Sequence, residues 1–168
     1  IFILTFALCS FSAMAHRESV HEAISRVAFN VTALADPSNH LLVDIGLNTK
    51  YLGTDPANPD NQYLSDGQDS RSILGWVEAG SRFEDDTETV KRPLNHFYDP
   101  LYNRPLTILT ALGERSPDWA LEDTYEIGAQ HFSLRDARGF LHAALTSDKK
   151  GDRERNYALL FRALGHII

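Results

Sequence analysis

Basic residues are scarce in this chain. Sixteen Lys and Arg stand against twenty-three Asp and Glu, leaving a net charge of −7. That balance offers no basic footprint for duplex nucleic acid or an anionic membrane, although it leaves metal-dependent chemistry on phosphates open. Cysteine is nearly absent. The one Cys, Cys9, excludes a disulfide framework within the chain. No apolar run reaches the roughly 20 residues that span a bilayer. Nor is there a convincing period-two alternation of apolar and polar residues, so no strand is predicted and the expected class is all-α. No repeat or low-complexity tract interrupts the chain.

What is present begins with IFILTFALCSFSAMA, apolar apart from Thr5, Ser10 and Ser12. It closes on Ala13-Met14-Ala15, a small-x-small pattern read by signal peptidase, so residues 1–15 are expected to be a signal peptide of an exported, secreted or periplasmic protein. Leu8 before Cys9 is too large for a usual lipoprotein signal. The start lacks an initiator Met and a basic flank, and Leu164–Ile168 stops within an apolar helical pattern. Both ends are expected to be clipped, with 16–168 forming the N-terminal part of one helical domain.

Val20, Ile24, Val27, Val31 and Leu34 recur at helical spacing and predict a first amphipathic helix ending near Asp36-Pro37. A shorter helix is predicted from Asn39 through Leu47. Residues 53–71, rich in Gly, Pro, Asn, Asp and Ser, predict a long loop. A helix from Ser72 carries Ile73, Trp76 and Val77 and is expected to dissolve at Gly80. Phe83–Leu106 reads as irregular, the kind of long loop that carries function. Ser116 with Pro117 predicts a helix start. Ser133 caps a helix through Leu134, Ala137, Phe140, Leu141 and Leu145. Lys149–Asp152 separates it from a last helix bearing Tyr157, Leu160, Phe161, Leu164 and Ile168.

Seven histidines invite a metal reading. His40 at a helix start, His131 before the Ser133 cap, His142 within a helix and His166 near the end are assigned structural roles, because a lone His lacks the partners of a metal site. His16 and His21 differ. Cleavage after Ala15 makes His16 the mature N-terminus, with a free α-amine. Five residues on a helix turn the side chains apart by about 140°, yet a terminal residue escapes that limit, since its amine and carbonyl can fold back toward a metal held by His21. The bland alternative is a solvated helix start. Asp85, within Glu84-Asp85-Asp86, and His96, within Leu94–Pro100, form a further half-site of carboxylate and imidazole, donors that zinc accepts. By spacing alone the acidic cluster reads equally as a solvated turn.

Trp76–Asp85 followed by Asn95-His96-Phe97-Tyr98-Asp99-Pro100 resembles the Gly-x-x-x-Glu-Asp … Asn-His-Phe-Tyr-Asp-Pro block of the bacterial zinc-dependent phospholipases C, whose superfamily includes fungal single-strand-specific nucleases. Phe132–Arg138 and Phe161–His166 are similar to later blocks of that family. The resemblance implies a helical phosphodiester hydrolase holding up to three zinc ions. It implies that His16 gives its amine and carbonyl, His21 and His96 their imidazoles and Asp85 its carboxylate, with Asp86 the alternative to Asp85. The family's usual N-terminal residue is Trp, where this chain has His. It further implies a His-x-x-x-Asp helix directly after Ile168, so residues 16–168 alone are expected to bind zinc weakly and hydrolyse nothing. The expected partner is a phospholipid or another phosphodiester, with single-stranded nucleic acid second and duplex nucleic acid excluded. The competing class is a non-catalytic exported helical binding domain.

Overall fold

The computed structural model of the 168-residue chain describes residues 18–36, 38, 40–47, 51–53, 70–84, 95, 98–105, 107–108, 111–121 and 132–168. The expected signal segment 1–15 and most of the expected 53–71 loop lie outside them. The described residues are mostly helical: α1 (Glu18–Asn30), α2 (Leu41–Asp44), α3 (Ile73–Phe83), α4 (Ser116–Leu121), α5 (Leu134–Thr146) and α6 (Lys150–Ile167). None of these helices is long and apolar enough to cross a membrane.

Strands are present as well, contrary to the reading of the sequence. β1 (Tyr51–Gly53) pairs antiparallel with β2 (Ser70–Ser72), β3 (Tyr98–Asp99) with β4 (Arg104–Pro105), and β5 (Thr107–Ile108) with β6 (Ala111–Leu112). Ladders of two or three residues are too short for alternation to register in a sequence. The β1–β2 ladder aligns Leu52 with Arg71. Leu52 is fully buried, and its carbonyl accepts a 2.9 Å hydrogen bond from Trp76 Nε1, which ties the ladder to α3.

α6 is the central helix. From Asn156 to Ala163 every residue is buried, so its contacts wrap around it rather than along one stripe. α3 packs on one side and α5 on another. The α3–α6 crossing is set by two glycines. A Cβ built on Gly80 would lie 2.0 Å from the Arg162 carbonyl oxygen, and one on Gly165 would lie 2.0 Å from that of Val77. Gly80 therefore does not end α3, as its helix-breaking character suggests, but lets α3 pass close to α6 and run on to Phe83. α5 opens on the predicted cap, where Ser133 Oγ accepts from the Asp136 N–H and Asp136 returns the bond to the Ser133 N–H.

α2 is shorter than predicted and closes through Gly46, whose φ of 84° suits glycine. The Leu47 N–H reaches the Leu42 carbonyl and the Gly46 N–H reaches that of Val43, the paired bonds of a Schellman cap. Beside this cap the buried Tyr157 donates its hydroxyl to the Ile45 carbonyl. Burial pushes the Tyr157 hydroxyl above its ordinary value of 10.0, opposed by the nearby charge of Arg153. The folded state thus holds this proton more tightly than the unfolded chain. Its contribution is complete below the unfolded value and is lost as pH rises through the higher folded value. Tyr157→Phe is expected to cost about 1 kcal/mol in urea unfolding at neutral pH and to reduce the loss of stability at alkaline pH. An unchanged midpoint would refute the contribution of this bond.

α1 lies on α3. Of its predicted apolar stripe, Val20, Ile24, Val27 and Val31 are exposed, and Leu34, beyond the helix end, packs against the core. Ser25 is fully buried instead, and Phe29 packs on the core. Arg26 bonds Glu78 at 2.6 Å, and Arg82 stands 3.9 Å from Glu22. The contact face of α1 is therefore polar and lies beside the apolar stripe.

Candidate functional site

Where the N-terminal half of α1, the end of α3, α4 and the end of α6 meet, they enclose a cavity of about 340 Å³. His21 and Ile24 come from α1, Ser81 and Glu84 from the end of α3, Ser116, Pro117 and Trp119 from α4, and Gly165 to Ile168 from α6; Asn95 completes the wall. α4 starts at Ser116 itself, one residue before the predicted first helical position Pro117, since the N–H groups of Asp118 and Trp119 both reach the Arg115 carbonyl. That start places Trp119 in the wall at 2% exposure.

Two wall residues, Glu84 and His166, belong to a buried charged network that extends behind the wall to Arg162. Glu84 is 4% exposed, His166 8% and Arg162 3%. Glu84 accepts from Trp119 Nε1 at 3.0 Å through one oxygen and meets His166 Nδ1 at 2.6 Å through the other. Arg162 Nε points at His166 Nε2 over a long 3.5 Å. Arg162 thus faces the Nε2 side of the imidazole and the Glu84 carboxylate its Nδ1 side. Aromatic faces complete the enclosure: Phe132 stacks on His166 with centroids 4.5 Å apart and planes 10° apart. The Arg162 guanidinium lies 4.9 Å from the ring centre of Phe83 and 4.6 Å from that of Phe132.

Of the expected metal ligands, the structure places His21 in the cavity wall. His16, Asp85, the alternative Asp86, and His96 lie outside the described residues, as does His131. Two of them are direct sequence neighbours of lining residues, Asp85 following Glu84 and His96 following Asn95. No cluster of three or more His, Cys, Asp or Glu suited to a metal occurs among the described residues. His40 stands at the start of α2 and His142 lies within α5, as expected. His166 occupies a packing position, with Glu84 and Arg162 at its two nitrogens.

Glu84 is the residue that reading the sequence passed over, because Glu84-Asp85-Asp86 looks like a solvated acidic turn. Helical phase held the missing signal. Glu84 falls four residues after Gly80 and seven after Val77, on the buried face of α3 continued by one turn. Asn95 was passed over too; its side-chain oxygen accepts from the Glu114 N–H at 2.6 Å and so holds that segment at the cavity edge.

Comparison with family models, with curated proteins and with solved structures returns no match to this chain.

Proposed function

We propose that this cavity belongs to a zinc-dependent phosphodiester hydrolase of the phospholipase C kind. One observation carries the reading. The cavity wall holds His21 together with Glu84 and Asn95, the immediate neighbours of the other two side-chain ligands that the resemblance implies. His21, Glu84 and Asn95, far apart in sequence, line one concave site, which supports this reading. The donor set fits zinc, which takes imidazole nitrogen and carboxylate oxygen.

In this reading His21 and His96 give imidazoles, Asp85 a carboxylate and His16 its terminal amine and carbonyl once the chain is cut after Ala15. Zinc held there supplies a bound water ionising near neutral pH and positive charge for the phosphate oxygens. Glu84 would have a different task. Its oxygens meet Trp119 and His166, so it fixes the end of α3 against α4 and α6 rather than binding metal. An acidic chain of this kind meets a phosphodiester through metal charge, not through a basic surface. Phospholipid is the first substrate class. Single-stranded nucleic acid is second, favoured by the spacing of five between His16 and His21.

Zinc content of the exported protein, measured together with hydrolysis of a chromogenic phosphorylcholine ester, tests the proposal. His21→Ala is expected to weaken zinc binding by on the order of a hundredfold, at least as much as loss of an outer-sphere partner does. Unchanged zinc content in that variant, or an exported protein without zinc, would sink the reading.

A further inference from the structure

The turn between β3 and β4 holds two large apolar side chains out in solvent, and its polar groups are spent on bonds within the turn. Leu101 is 87% exposed and Tyr102 71%. Turn tips ordinarily present Gly, Asn, Asp or Ser to water. Here the polar groups hold the turn instead. Asp99 accepts from the Leu101 N–H at 3.1 Å and the Tyr102 N–H at 3.4 Å, and it pairs with Arg104 Nε at 3.0 Å. Asn103, in the left-handed region at φ 51°, accepts from the Tyr98 hydroxyl at 3.0 Å and from Arg115 at 2.7 Å. The Arg115 bond ties the hairpin to the start of α4, beside the cavity wall. The Arg104 guanidinium lies 4.7 Å over the Tyr102 ring.

We propose that this tip is an anchor that enters the surface of a zwitterionic phospholipid layer. Leu101 suits the acyl boundary, and Tyr rings favour headgroup depth, where one side is apolar and the other wet. The Arg104 guanidinium, stacked on Tyr102 and paired with Asp99, holds that ring in place at headgroup depth. Charge selects the kind of surface. Asp99 and Arg104 neutralise each other at the tip, while the chain as a whole carries −7, so an anionic layer repels it and an electroneutral one does not. Because the turn is already ordered, little conformational freedom is lost on insertion. The choice of phospholipid rests on the phosphodiesterase reading, but the anchoring is measurable without hydrolysis.

The experiment uses the full chain with phosphatidylcholine vesicles in excess chelator, so that no turnover occurs. An environment-sensitive fluorophore is placed by Leu101→Cys in a Cys9→Ser background, with Val31→Cys, exposed just past the end of α1, as the comparison site. The label at 101 is expected to shift to the blue and to be quenched by lipids carrying a shallow quencher, more strongly than the label at 31. Vesicle partition of the unlabelled chain is expected to fall by roughly tenfold in the double variant Leu101→Ser, Tyr102→Ser. A silent label at 101, equal partition of the double variant, or preference for anionic over phosphatidylcholine vesicles overturns the proposal. If the label at 101 responds while the exported protein proves free of zinc, the anchor stands and the hydrolase reading falls.

Discussion

Gly165→Ala is expected to lower stability by about 3 kcal/mol or more, the upper range for forcing a methyl group into a filled contact. The clash is with backbone: the added Cβ would lie 2.0 Å from the Val77 carbonyl oxygen, 2.8 Å from its carbon and 3.0 Å from the Ser81 nitrogen. No rotamer change relieves it, so α3 and α6 must separate along the crossing where the core is densest. Helix propensity alone predicts the opposite sign, since Ala is favoured over Gly by up to about 1 kcal/mol inside a helix. Gly139 in α5 serves as the control, because a Cβ there meets nothing within 4 Å. Gly139→Ala should therefore raise the midpoint of thermal unfolding while Gly165→Ala lowers it by roughly 6 °C or more. Shifts of the same sign would show that the close crossing does not set stability.

The second large effect is expected at Glu84. Glu84→Ala removes the acceptor of Trp119 Nε1 and the partner of His166 Nδ1, and it takes the carboxylate out of a buried group that also contains Arg162. Breaking one member out of a buried charge network costs about 3–5 kcal/mol. The conservative change Glu84→Gln keeps an oxygen acceptor but loses the negative charge, so it should fall between wild type and Ala. His166→Ala in the Glu84→Ala background should cost much less than in the wild type, because the two residues act on each other. Additive costs in urea unfolding would mean that the pair carries no coupling. Since Glu84 precedes Asp85, the same variants are expected to reduce zinc retention, and reduced retention without lost stability would assign Glu84 to the metal site itself.

Local rules carried the sequence reading where they acted locally. The Ser133 cap and the Leu134–Thr146 helix emerged as predicted, as did the helices beginning after Ser72 and near Ser116. Errors arose where distant partners decide the outcome. Gly80 looked like a stop signal, but its lack of a side chain answers to Arg162, more than eighty residues away. The apolar stripe of α1 looked like a packing face, yet its ties to α3 are the pairs of Arg26 with Glu78 and Glu22 with Arg82, while Ser25 and Phe29 are the residues turned inward. Glu84 looked solvated because charged residues rarely go inside unpaired, and its partners Trp119 and His166 are invisible along the chain. The cavity was legible only at His21. The other residues that line it mix apolar and polar groups from separate segments, which no local pattern joins.

The seat of α1 on α3 makes the molecule respond to ionic strength in two opposite ways. Arg26 and Glu78 meet near the surface, and the hydrogen bond from Arg26 to Glu78 holds the guanidinium more firmly protonated than usual. Such a pair weakens as the screening length falls from about 8 Å in physiological salt to about 3 Å at molar concentration. The apolar contacts among α3, α5 and α6 strengthen instead when an excluded salt such as sulfate is added. The first helix and the three-helix centre therefore part company in their salt response. α1 becomes the first element whose amides exchange with solvent in concentrated salt, while the glycine-spaced crossing beneath it becomes the last.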